Sequence, residues 1–323
     1  MKRICFIAAG SFSLLLAQYA TAGVNVAPGA RLTVNGTLTA STVQTCNGGT
    51  LAGNGTVAAA VTIDGAISPG VSPGILTTSN LVVNAIGSAE IEINGPGTAG
   101  VDFDQVNVTG TVTLNNPALV LSGLGVPPAP GGQMVLIAND GIDPVSGTFN
   151  GLPESAAVSL PTSGSTAFIS YTGGTDQNDV ILALDNDGDG LLDPSDPDDD
   201  NDNQSDVEEL IAGTSGTDSN SFFAIDRIFV PNPVVVRIDT YTGRLYSVEY
   251  NIDLDVVPQN WTLLTNDIPG TGLGIDIVDP AVASGRTYRA GVRLAQQKKC
   301  EPCGLESSFN PHFPASTEIR CPD

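Results

Sequence analysis

Residues Asp185 to Glu209 read DNDGDGLLDPSDPDDDNDNQSDVEE and hold 12 of the chain's 35 acidic residues, with no Lys or Arg among them. Carboxylates at this density repel one another unless water and salt screen them in a disordered run, or cations bind between them. The spacing favours cations. A 12-residue calcium loop presents oxygen at positions 1, 3, 5, 7, 9 and 12, around a sharp turn at position 6. Counting from Asp185 places Asp187, Asp189, the Leu191 carbonyl, Asp193 and Asp196 at the remaining ligand positions, with Gly190 at the turn. Counting again from Asp198 places Asp200, Asp202, the Gln204 carbonyl, Asp206 and Glu209, with Asn203 at the turn. Glycine, and after it asparagine, best tolerates the positive φ that such a turn needs. A solvated acidic run has no reason to keep this alternation, so these 12 residues are the expected calcium ligands.

The elements around these residues are not those of a helix-loop-helix calcium sensor. Val180-Ile181-Leu182-Ala183 enters as a strand, and Pro194 and Pro197 break any helix between the loops. Only the exit reads as helical, from Asp206 to Ala212, with Gly213 as the stop. The pattern Asp-x-Asp-x-Asp-Gly-x-x-Asp-x-x-Asp resembles a thrombospondin type 3 repeat, and the second unit resembles the companion form found in bacterial surface proteins. The resemblance implies calcium wrapped by irregular chain in a structural role, stiffening a joint between domains. Asn203 departs from the usual glycine.

Lys2 and Arg3, an apolar run to Ala17 and the small residues Ala20-Thr21-Ala22 read as a secretory signal peptide, residues 1–22. Its apolar stretch is too short for a membrane span. Cys5 leaves with it, and the mature chain is expected outside the cell or on the outer-membrane surface, where calcium is plentiful. The formal net charge of −23 argues against nucleic acid as a partner. An anionic membrane surface is excluded on the same ground unless calcium bridges to it.

From 23 to 184, short β-branched runs alternate with Asn-Gly, Asp-Gly, Gly-Gly and Pro-Gly, and no helical period is seen. Such strands with glycine turns suit a parallel β-helix, with a sandwich as the competing arrangement. From about Leu81 the runs lengthen, and the coils are expected to give way to a broader β-rich cap. The stretches 48–57, 67–76, 102–110, 147–154 and 169–180 resemble autotransporter-type β-strand repeats of bacterial surface proteins. That resemblance implies a right-handed β-helix with a surface or adhesive role, whose partner would be a surface glycan or another cell-envelope component. No strand series suited to a translocating barrel follows, so the chain is not expected to form its own pore.

Catalysis finds little support in this region. Between Arg31 and Arg227 there is no Lys, Arg or His, which removes the base and the cations that a lyase for acidic sugars needs. A glycoside hydrolase needs only two carboxylates, and Asp102 and Asp104 share a strand face if Phe103 points away. Asp64, Glu90, Glu92 and Asp179 are scattered elsewhere, and the repeat resemblance implies a structural turn role for Asp104. No Gly-x-Ser-x-Gly motif or phosphate-binding loop is found. The chain is read as non-enzymatic.

Residues 214–221 form a polar linker. Six short strands between 222 and 294 suit a small antiparallel sandwich, and residues 243–250, Trp261 and 268–272 resemble a small C-terminal β domain loosely like fibronectin type III. Trp261 could stack on a sugar, as in a carbohydrate-binding module, or belong to the core. In the tail, 295–323, Cys300, Cys303, His312 and Cys321 have spacing that could ligate zinc. Disulfides, with Cys46 as a fourth partner, and a disordered tail are the alternatives. Asn-x-Ser/Thr triplets at Asn35, Asn54, Asn107, Asn203 and Asn260 are read as chance in a chain rich in these residues. The whole is expected to be all-β: a right-handed parallel β-helix, an irregular calcium-binding linker and a small antiparallel β-sandwich.

Overall fold

The computed structural model describes residues 23–70, 72–229, 233–253, 255, 259–280 and 285–295, together with the backbone of 4–6, 11–14 and 18–19. It is all-β apart from one 3-10 turn and one short helix. No described helix is long and apolar enough to cross a membrane. The chain divides into two compact units, 1–207 with 215–221, and 208–214 with 222 onwards.

Within the expected leader lie β1 (Ile4–Phe6), β2 (Ser11–Leu14) and β3 (Gln18–Tyr19). The next turn of chain supplies β4 (Val24–Val26), β5 (Arg31–Val34) and the first half of β6 (Thr37–Thr45). The turn after it supplies the rest of β6, β7 (Thr50–Gly53) and the start of β8 (Thr56–Ile63). Then come the end of β8, β9 (Ala66–Pro69) and β10 (Ile75–Thr78). β11 (Leu81–Val83), β12 (Ser88–Ile93) and β13 (Gln105–Val108) form the next turn. β14 (Val112–Asn115), β15 (Ala118–Gly123) and β16 (Gln133–Asn139) form the one after.

Strands of successive turns pair in parallel, because each turn repeats the apolar alternation of the one before. Val24 lies beside Val43, Val43 beside Val61, Val61 beside Leu81, and Leu81 beside Val112. In a second column Leu32, Leu51, Ile67, Ala89 and Leu119 follow one another. Side chains at every second position point inward, so β8 and β12 alternate buried and exposed residues along their length. The inward residues form one continuous core from Val24 to Leu182.

The recurring Asn/Asp-Gly pairs are the corners of this stack. Ala66 N–H donates to Gly49 O at 2.8 Å, and Ser88 N–H to Gly65 O at 2.8 Å. A Cβ on Gly65 would fall 2.0 Å from Gly49 O, so the backbone approach excludes any side chain there. Outside the corner, Gln44 donates to Asp64, Asn84 to Asp64, and Asn115 to Asn84, a polar ladder from turn to turn.

The later turns lengthen, since Gly95–Asp104 is inserted before β13. The stack then changes character. β17 (Ser146–Thr148) still pairs in parallel with β14, but β18 (Ala157–Ser159), β19 (Thr166–Gly173) and β20 (Asp179–Ala183) are antiparallel, with β20 laid on β16. The larger sheet is therefore mixed. Arg31 is the one basic side chain described in this unit.

The second unit contains β21 (Ile225–Phe229), β22 (Val234–Ile238), β23 (Arg244–Asn251), β24 (Thr262–Pro269), β25 (Ile275–Asp279) and β26 (Thr287–Leu294), close to the six expected runs. They form two antiparallel three-stranded sheets, β21-β22-β25 and β24-β23-β26. Both sheets contribute to one core around Val236, Ile238, Tyr246, Val248 and Ile277. Buried Asp279 accepts from Arg286 at 2.6 Å and from the Tyr288 hydroxyl at 2.8 Å, which compensates its charge.

Candidate metal centre

The acidic segment leaves β20 and packs onto the first unit. Leu192 is buried with Ile181 and Ala183. Asp193 is 4% exposed, and its carboxylate is taken up by three donors: the Asn186 N–H, the Asn186 side-chain amide and the Gly131 N–H. Pro194 opens a 3-10 turn at Asp193–Ser195 that ends the first loop. The short helix α1 (Asp206–Ala212) follows the second loop.

The two loops share a hydrogen-bond pattern 13 residues apart. Asp187 Oδ1 accepts Asp189 N–H, and Asp189 Oδ1 accepts Leu191 N–H. Asp200 Oδ1 accepts Asp202 N–H, and Asp202 Oδ1 accepts Gln204 N–H. The expected turn residues Gly190 and Asn203 have φ of 95° and 75°. One oxygen of each aspartate is thus spent on the chain that follows it, and the other is left for something else.

The carboxylates so brought together are Asp185, Asp187 and Asp189 in one group, and Asp198, Asp200 and Asp202 in another, each with ligand oxygens within 4.8 Å of one another. Both groups could hold a metal ion. The second fits best, because Asp198 Oδ1, Asp200 Oδ2 and Asp202 Oδ2 are buried without any hydrogen-bond partner. Buried anionic oxygens in that state demand a cation or a proton. Burial, then the charge of Asp202, pushes the Asp200 carboxyl above the usual range. Neither group contains Asp193, Asp196, Asp206 or Glu209. Asp196 Oδ1 accepts the Asp198 N–H at 3.0 Å, and burial, then the charges of Asp189 and Asp187, raises its carboxyl. Leu191 and Gln204 lie two residues after the third carboxylate of each group, and Glu209 is buried within α1.

Asp199 was missed by the register. It is 4% exposed, and burial followed by the charges of Asp193, Asp206, Asp196 and Asp200 pushes it up to about 7. No sequence signal marks it, since the loop register counts only alternate positions and 199–200 lie in a turn.

Asp102 and Asp104 are occupied with backbone. Asp102 Oδ2 accepts Thr98 N–H at 2.6 Å. Asp104 is 4% exposed and bridges Gly74 N–H at 2.7 Å and Glu92 N–H at 2.9 Å, fixing the inserted loop to the stack. Burial outweighs these bonds and raises the Asp104 carboxyl to about 6. An acid with a folded-state value above its unfolded one takes up a proton on folding, so it destabilises at high pH and this cost is relieved as pH falls from about 6 to 4. Asp104→Asn is therefore expected to flatten the dependence of melting temperature on pH across that window, measured against the parent chain.

Trp261 is half-buried, with the Arg289 guanidinium 4.4 Å above its ring and Glu249 holding that arginine at 2.5 Å. It is neither core nor an open stacking platform. Cys300, Cys303, His312 and Cys321 lie outside the described residues, and Cys46 is half-buried as a free thiol. Comparison with models of known families, with curated proteins and with solved structures returns no match.

Proposed function

We propose that this chain is a secreted, calcium-binding, non-catalytic structural protein of a bacterial cell surface. Its leader is removed on export, its first unit is a right-handed parallel β-helix, its second a small β-sandwich, and calcium makes the acidic segment between them rigid. The observation that carries this reading is the second carboxylate group, with three buried oxygens that nothing in the chain satisfies. All-oxygen ligands on irregular chain suit calcium, which accepts six to eight oxygens in flexible geometry, whereas zinc favours nitrogen and sulfur. Asp185, Asp187, Asp189 and Asp196 would hold one ion. Asp198, Asp200 and Asp202 would hold the other, with the Leu191 and Gln204 carbonyls completing the two shells. Bound calcium would neutralise the repulsion and order chain that otherwise swells.

The adhesive role rests on the resemblance to surface-protein repeats. A glycan or cell-envelope component is the proposed partner. Calorimetric titration of the mature protein with calcium, paired with limited digestion by a protease that cuts before aspartate, tests the calcium reading. Heat of binding and protection of 185–209 are expected. Absence of both would reduce the segment to a solvated linker.

A further inference from the structure

We propose that Asp199 is itself a cation ligand, and that with Asp206 it forms a third divalent-cation position, on the side of the acidic segment facing the Gly131 turn of the first unit. The proposal rests on the calcium reading above and adds a site to it. Asp199 belongs to neither carboxylate group. Its Oδ1 is buried and has no hydrogen-bond partner. Its N–H donates to Asp206 Oδ1 at 3.1 Å, which holds the Asp206 carboxylate against the Asp199 backbone. On its other side, Asp199 Oδ2 would lie 3.4 Å from a Cβ on Gly131, whose N–H donates to Asp193 Oδ2 at 3.1 Å. The charges around Asp199 are Asp193, Asp206, Asp196 and Asp200, all negative. Arg31 is the single basic side chain described in this unit, and no ion pair joins it to any of these residues. A buried carboxylate oxygen needs a donor or a cation, and the chain gives Asp199 Oδ1 neither. A hard divalent ion with oxygen preference, calcium foremost, meets that need. Such an ion would tie the acidic segment to the turn before β16, so that calcium fixes the segment against the first unit and not only within its own loops.

The test is an ion count by native mass spectrometry on the mature chain in calcium, beside Asp199→Asn and Asp200→Asn. Three ions in the parent and two in Asp199→Asn are expected. Two ions in the parent, with the count unchanged in Asp199→Asn, would overturn the third position while leaving the calcium reading intact. No ions in the parent would end both. Melting in chelator and in calcium supplies a second readout. Asn keeps the shape of Asp and removes the charge, so Asp199→Asn should melt higher than the parent in chelator and lower in calcium. A shift of the same sign in both buffers would mean a buried neutral carboxyl, and would also overturn the proposal.

Discussion

Asp200→Ala is expected to remove one bound calcium ion and leave the first loop's ion in place. Asp200 has two duties: Oδ1 receives the Asp202 N–H, and Oδ2 is one of the three buried oxygens without a partner. Truncation removes a charged ligand and also frees the turn that presents Asp202. Losing one member of a buried charge pair costs about 2 to 5 kcal/mol, which is ~30-fold or more in Kd. Calorimetry would show this as the disappearance of one binding step. The complementary variant Asp187→Ala should remove the other step, since it belongs to the other group. In chelator the sign reverses. Asp200 then sits among like charges, and its removal should leave the melting temperature unchanged or higher. A uniform loss in both buffers would show that Asp200 is a structural turn residue and no more.

Gly65→Val should be severely damaging to the first unit. The new Cβ would meet Gly49 O at 2.0 Å and Cys46 O at 2.5 Å, and both are backbone atoms of the preceding turn. Relief requires the turns to separate, which breaks the Ala66 N–H to Gly49 O bond and exposes neighbouring core. We expect a loss of about 3 kcal/mol or more by denaturant unfolding, the upper range for overpacking. Gly29→Ala is the control. Gly29 has φ of 75° and nothing within 4 Å of a built Cβ, so only left-handed backbone strain remains, about 1 kcal/mol. Equal losses at the two sites would mean that the corner is looser than its geometry states.

These two positions also mark what could be read before the fold was seen. The Asn/Asp-Gly corners and the alternation of β8 and β12 are local patterns, and local patterns survive into the structure. So do the six strands of the second unit and the positive φ of Gly190 and Asn203. Pairing partners are another matter. Nothing in residues 157–183 signals that β20 lies antiparallel on β16, because that choice is made by chain far away in sequence. The same holds for Asp193. Its place in the register makes it a ligand, but the Gly131 and Asn186 amides claim it. Asp199, which the register leaves out, is almost fully buried.

The scarcity of positive charge in the first unit has a practical consequence. An enzyme that cuts only after Lys or Arg finds no bond between Arg31 and Arg227, however freely the chain moves. Everything from Leu32 to Arg227 would emerge from such a digest as one very large, acidic peptide, and peptide-mass surveys built on that digest would pass over most of the molecule. The same feature would let the first unit persist among trypsin-like proteases. Its vulnerability would then be to proteases of other specificity, and the acidic segment offers them the densest row of aspartates in the chain.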